Sequence, residues 1–289
     1  MSRRLIVTHH SPDLDAITSV WLFKRFDAQH FADAHVAFVD PGQTLPPTDS
    51  ARYDVDPTSV VHVDTGLGEF DHHQSDRGLL HISASSLVYE HLLKVHPEYT
   101  SDATLRELVE LVTDLDHFGE SLWPDANNPR YSLMLHELLS GFSAVDPHTD
   151  DSQLQFGMQC LDCAFASLKE TLQAVELLPT GQEFNLKVGK CLAIETSNDG
   201  VIKVAQKAGF QLVVKKDSED GAIRIKARPD TKIDLRAAAD RIAQLDPTGT
   251  WYNHPSGKML LNGSRKHLHQ KPTSLTVKEV IAVLKELYG

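Results

Sequence analysis

Long apolar runs are missing from this sequence, and none approaches the roughly 20 uninterrupted residues that a membrane-spanning helix needs. No membrane partner is therefore expected. Cysteine is scarce as well: Cys160, Cys163 and Cys191 are the only three, and an odd number cannot pair off completely. That argues against a disulfide framework and fits a reducing compartment. The stretch MSRRLIVTHHSPD reaches His, Pro and Asp before any signal-like apolar segment develops, so the expected location is cytoplasmic. Internal repeats and low-complexity tracts are also lacking, which leaves solenoids and disordered tails aside.

What is present describes a folded protein. Apolar residues make up 41% and charged residues 24% of 289 positions, enough apolar surface to bury real cores. That length suits two domains better than one. The formal net charge of −12 is unevenly spread: residues 186 to 289 hold 18 Lys and Arg against 11 Asp and Glu, or +7, leaving −19 for residues 1 to 185. An acidic part that draws cations is thus joined to a basic part that draws phosphates, although surface charge can equally be plain solvation.

The patterning gives an order of elements. RLIVTH at 4 to 9 reads as a buried strand, and Ile17, Val20, Trp21 and Phe26 recur at helical spacing just after it. AHVAFVD at 34 to 40 and SVVHVD at 59 to 64 are further strands, each ending at an aspartate. Helical periodicity follows at 84 to 96, 102 to 114, 130 to 141 and about 152 to 178, where Pro179 and Gly181 end it. Strands are then expected at 186 to 196, 210 to 216 and 221 to 228, with helices near 201 to 208, 234 to 245 and 275 to 287. The expected fold class is α/β, a parallel sheet flanked by helices, with a smaller C-terminal α+β domain. The expected boundaries are a first domain at 1 to 150, a helical linker at 151 to 182 and a second domain at 183 to 289.

Acidic and histidine residues gather where an open parallel sheet places its ligands, beyond the carboxyl ends of strands. His9-His10-Ser11-Pro12-Asp13-Leu14-Asp15 follows the first strand, and Asp64 ends the third. Asp71-His72-His73 comes after a turn with Gly66 and Gly68, and Asp114-Leu115-Asp116-His117 ends a helix. Carboxylates predominate, which suits Mn²⁺ or Mg²⁺, while imidazoles shift the preference toward Mn²⁺, Fe or Zn²⁺. No cysteine enters any cluster, which speaks against a structural zinc site.

The ordered set of HxxxDxD after strand one, a lone Asp after a later strand, Asp-His-His and a further Asp resembles the DHH phosphoesterase superfamily over about the first 120 residues. That group includes RecJ-type exonucleases, oligoribonucleases, cyclic-dinucleotide phosphodiesterases and family II pyrophosphatases. The resemblance implies two divalent metal ions, Mn²⁺ foremost with Mg²⁺ as an option. His9 and Asp13 would serve one ion, Asp15, His72 and Asp116 the other, and Asp64 both. His73 would face the scissile phosphate, with Asp71 orienting the histidines from behind. The activity implied is hydrolysis of phosphodiester bonds in short oligonucleotides or nucleotides by metal-activated water. An inorganic pyrophosphatase-like hydrolase and a catalytically silent nucleotide-sensing module are the alternatives. Partners would be a phosphate-containing small molecule or a short single-stranded nucleic acid, and an oligomer is open.

The family's glycine-rich GGGH signature is missing. In Asn262-Gly263-Ser264-Arg265-Lys266-His267, a glycine, a hydroxyl and positive charge follow strand-like KMLLN, which suits a phosphate grip or an ordinary loop. His10 reads as a strand-end cap or a ligand. Motif spacing favours Asp116 over Asp114 as the ligand, and Asp114 and His117 read equally as hydrogen-bonding residues at the helix end. Cys160 and Cys163 have redox spacing but sit in a helical pattern, as half-buried helix cysteines do. Trp251 and Tyr252 would pack, or stack a base.

Overall fold

The computed structural model describes residues 4–263 and 269–289. The chain forms two compact units, Met1–Leu168 and Lys169–Gly289. In the first, β1 (Leu5–His9) is followed by α1 (Leu14–Phe26), α2 (Ala28–Phe31), β2 (His35–Val39), α3 (Pro47–Ser50) and β3 (Val60–His62). Then come α4 (Ala84–Val95), α5 (Ala103–Asp116) and α6 (Leu135–Val145). The sheet order is β2-β1-β3 and every pairing is parallel. β1 is therefore central, which is why LIVTH is apolar on both faces: Leu5, Ile6 and Val7 are fully buried.

α1 starts at Asp13, whose side chain accepts from the Ala16 amide, and it is buried on nearly every side. Its Ile17, Phe23 and Phe26 share one core with Val88 and Leu92 of α4 and Leu105 and Val109 of α5. α7 (Asp150–Leu177) begins in the first unit and continues into the second, so the expected 151 to 182 linker is divided between the units. Gly157 lets α7 approach α1: a Cβ there would lie 2.8 Å from Ile17 Cδ1 and 3.3 Å from Leu139 Cδ2. Gly157→Val should cost about 1–3 kcal/mol by overpacking, read as a lowered denaturation midpoint, and an unchanged midpoint would show that this contact yields freely.

The second unit contains β4 (Gln182–Leu186), β5 (Gly189–Glu195), α8 (Val201–Lys207), β6 (Leu212–Lys216), β7 (Ile223–Ala227), α9 (Arg236–Leu245), β8 (Trp251–Asn253), β9 (Met259–Asn262) and α10 (Val277–Tyr288). Its sheet runs β4-β5-β6-β7-β9-β8, with only β5 and β6 parallel. α9 and α10 pack on one face through Ala238, Ile242, Val280 and Leu284.

Two expectations change. The strand read at 186 to 196 is the second half of a hairpin that starts at Gln182, because Gly189 at φ +116° lets the chain turn tightly across Lys187 and Val188. The helix read at 130 to 141 is a 3₁₀ turn at Pro129–Leu133 followed by α6, since Met134 is extended at ψ 152°.

Candidate metal centre

The acidic and histidine clusters converge at the carboxyl ends of β1 and β3. His9 closes β1, and its Nδ1–H donates to the His10 carbonyl at 2.9 Å, which directs Nε2 to Asp64 Oδ2 at 3.2 Å. That hydrogen bond selects the tautomer whose Nε2 lone pair is available to a cation. Asp64 follows β3 at φ +54°, a left-handed conformation that a non-glycine residue keeps only where its surroundings enforce it. Its amide donates to Phe70 O at 2.9 Å, and its carboxylate reaches two ways. Oδ2 faces His9, while Oδ1 lies 3.5 Å from His72 Nε2. Asp116, the last residue of α5, brings Oδ2 to 3.4 Å from that same nitrogen.

Asp64 Oδ1, His72 Nε2 and Asp116 Oδ2 are all buried without a hydrogen-bond partner among the described residues. A buried polar atom left unpaired costs on the order of 1–3 kcal/mol, more when charged, and here three converge on one point. Overlapping sets of ligand atoms lie within 4.8 Å of one another: His9 with Asp13 and Asp64, Asp64 with His72 and His73, and His72 with Asp116 and His117. The donors are carboxylates and imidazoles without thiolate, the set that hard to intermediate divalent ions take. These residues fit divalent metal.

Asp15 sits beside them, its Oδ2 4.0 Å from His72 Nε2. Each of its oxygens also accepts a backbone N–H from the first turn of α4, Ala84 at 2.7 Å and Ser85 at 2.9 Å. A helix amino terminus thus fixes this buried carboxylate.

Proton affinities record the crowding. Burial, then Asp64 and Asp116, push Asp15 well above the usual carboxylate range. Burial and Asp64 raise Asp13, although it keeps solvent access. Burial raises Asp116 to about 6 against the pull of His72. Burial opposes charge on His9, yet Asp64 and Asp13 outweigh it and carry His9 to about 9. Asp64 foremost, against burial, holds His72 at about 9 as well. Asp64 itself is lowered, since the neighbouring imidazoles of His72 and His9 overcome its burial. Protons here take places that suit cations.

Asp71 is fully buried and accepts from the Leu67 amide at 2.7 Å and from His73 Nδ1 at 2.8 Å. It orients His73, whose half-exposed ring keeps Nε2 for other contacts. Arg77 Nη1 donates to the carbonyls of Asp71 at 2.8 Å and Glu69 at 3.0 Å and braces the whole turn. His117 Nε2 bonds the Ile82 carbonyl at 2.9 Å. Asp114 lies against Gly119, where any Cβ would meet its carboxylate. Of the two helix-end aspartates, Asp116 is the one in the cluster.

His10 pairs with Asp150 instead, Nδ1 to Oδ2 at 2.6 Å, and Asp150 Oδ1 accepts the Ser11 amide at 2.7 Å. Gln153 Nε2 adds a bond to the Pro12 carbonyl at 2.9 Å. The start of α7 therefore clamps the loop that carries His9 and Asp13, a role with no local signal because about 140 residues separate the partners. Asp150→Ala should weaken Mn²⁺ binding about 10- to 100-fold in a direct titration, and wild-type affinity would remove the clamp from this scheme.

In the second unit, Asn262 is buried and occupied: Nδ2 donates to Thr250 O and Lys271 O, each at 3.0 Å, and Oδ1 accepts from the Thr273 amide at 2.8 Å. Gly263 at φ +94° has Gln270 and Ala222 where a Cβ would stand. Ser264, Arg265, Lys266 and His267 lie outside the described residues.

No family model and no curated protein matches this chain. Solved structures do. An uncharacterized Helicobacter pylori G27 protein is 13% identical, with 99% of each chain covered and a TM-score of 0.25. The DHH domain of a member of a ribosomal-protein family is 11% identical, with 99% of this chain and 86% of that one covered and a TM-score of 0.32. Exonuclease RecJ bound to manganese is 13% identical, with 98% and 90% covered and a TM-score of 0.30. Overlaps this loose carry no chemistry with them, so function is read from the side chains. Among the described residues no helix is long and apolar enough to cross a membrane.

Proposed function

We propose that this protein is a divalent-metal-dependent phosphoesterase of the DHH type, with Mn²⁺ as the preferred ion and two ions per site. The supporting observation is the position of Asp64, one oxygen toward His9 and the other toward His72, beside buried ligand atoms that nothing else satisfies. His9 and Asp13 would hold one ion and His72, Asp116 and Asp15 the other, with Asp64 shared. Bound divalent ions would supply charge that makes water a nucleophile near neutral pH and braces the phosphoryl oxygens.

The chain's own residues would do the rest. Asp71 accepts a hydrogen bond from His73 Nδ1 and so fixes the ring that would present Nε2 to a non-bridging phosphoryl oxygen. Arg77 holds the turn that presents both histidines. The α4 amino terminus and the Asp150 clamp keep Asp15 and the His9 loop in place before substrate arrives.

The substrate proposed is a phosphodiester in a short oligonucleotide or nucleotide. Purified protein with Mn²⁺ should be incubated with dinucleotides, short single strands, cyclic dinucleotides and pyrophosphate. Turnover of a diester, abolished by EDTA, is expected. Preferential cleavage of pyrophosphate would reassign the substrate, and ligand binding without hydrolysis of anything would make the site a sensor.

A further inference from the structure

The sheet of the second unit has two unlike faces. Val214, Ile225 and Leu260 point into the core that α9 and α10 cover. Alternation then places Val213, Arg224, Lys226, Met259, Leu261 and Tyr252 on the opposite side. There α8 spans only seven residues, and the cluster beneath it takes Leu192, Ile194 and Val213 but nothing from β7, β9 or β8. Half of this face has no apolar cover among the described residues.

The uncovered half has an ordered composition. Tyr252, Leu261 and Arg224 form one row across β8, β9 and β7, and Met259 and Lys226 form the next. Tyr252 is 50% exposed on an edge strand, where a packing aromatic would be covered. Arg224 Nη1 pairs with Asp199 at 2.6 Å. Lys226 has no carboxylate within ion-pair distance among the described residues, although it is half-buried beside that guanidinium. Burial and Arg224 lower its proton affinity against the opposing pull of Asp199, so an anion there would relieve part of that cost. A cavity of about 510 Å³, lined in part by Gln206, Lys226, Ser256 and Met259, opens at this end of the face. That volume lies within the usual range of small-molecule pockets, roughly 300–1,000 Å³.

A flat surface with an exposed aromatic ring, apolar neighbours and unpaired positive charge suits unstacked bases on a phosphate backbone. Duplex would offer the ring no free base face. Residues 186 to 289 carry a formal +7, which complements such a strand.

We propose that this open face of β7, β9 and β8 is a platform for single-stranded nucleic acid, with a base stacked on Tyr252 over Leu261 and Met259 and a backbone phosphate at Lys226. Binding at the platform requires no metal and stands apart from the phosphoesterase reading.

The test is fluorescence anisotropy of the full chain with a labelled ten-nucleotide single strand in EDTA. Tyr252→Ala should weaken binding about tenfold, whereas Tyr252→Phe should stay within about twofold because the ring remains. Lys226→Gln should weaken binding and reduce the slope of log affinity against log salt by about 0.7. Asp64→Asn should bind as wild type, and a wild-type protein that binds the strand yet hydrolyses nothing with Mn²⁺ would count against the metal centre while leaving the platform standing. Absence of single-strand binding by the wild type, equal affinity for a hairpin duplex, or wild-type affinity in both Tyr252→Ala and Lys226→Gln would overturn the proposal. A dimer in size-exclusion chromatography that Tyr252→Ala dissociates would overturn it too, since the face would then join two copies.

Discussion

Asp64→Asn should fold like the wild type and lose metal-dependent hydrolysis by a factor on the order of 10³ or more, because the proposed sharing of Asp64 by two cations would support several kcal/mol of transition-state charge. Asparagine is the informative replacement. Residue 64 occupies left-handed backbone at φ +54°, which Asn tolerates better than Ala, so lost activity cannot be charged to a misfolded turn. The amide keeps the carboxylate's shape, removes the charge that faces His9 and His72 and turns one acceptor oxygen into an NH2 donor. A variant retaining more than a tenth of wild-type kcat/KM with bound Mn²⁺ would show that Asp64 is not shared.

The second large effect is a reversal of pH dependence by metal. In the metal-free protein His9 and His72 are raised from 6.5 to about 9, so their stabilisation is complete below pH 6.5 and is lost as pH rises toward 9. Asp116, raised from 3.8 to about 6, acts in the same sense, its contribution being lost as pH climbs through 6. Asp64, lowered, works oppositely, but only in acid below its ordinary 3.8. Between pH 6 and 9 the metal-free first unit should therefore lose stability steadily. Mn²⁺ competes with those same protons, so its affinity grows over the same interval. A hundredfold excess over Kd corresponds to about 2.7 kcal/mol and a rise in Tm of roughly 5–10 °C. The rise should be small at pH 6 and large at pH 9 in thermal scans with and without Mn²⁺, and equal rises at both values would refute the proton competition.

Much of this cluster was legible in the sequence because its side chains sit at positions that local patterning marks. His9 ends an apolar strand, Asp64 follows another, Asp13 and Asp15 open a helix, and Asp116 ends one, so locating the elements locates the side chains. The choice of Asp116 over Asp114 rests on motif spacing. What was not legible depends on contacts across the chain. Asp150 reads as one acidic residue among several at a helix start, yet it holds the His10 and Ser11 loop. Asn262 reads as a phosphate-loop residue, yet it ties three backbone groups around Thr250, Lys271 and Thr273. Tyr252 and Lys226 share a face only once β9 is threaded between β7 and β8, an order that hairpin-by-hairpin reading does not supply. The turn at Gly189 is tight, with Leu186 pairing Gly189 across only Lys187 and Val188, so the two strands read as one.

Anomalous diffraction from crystals grown with Mn²⁺ would examine the two-cation site most directly. Two peaks are expected, one touching His9, Asp13 and Asp64, the other touching Asp64, His72 and Asp116. Peaks elsewhere, or none within the reach of Asp64, would contradict it.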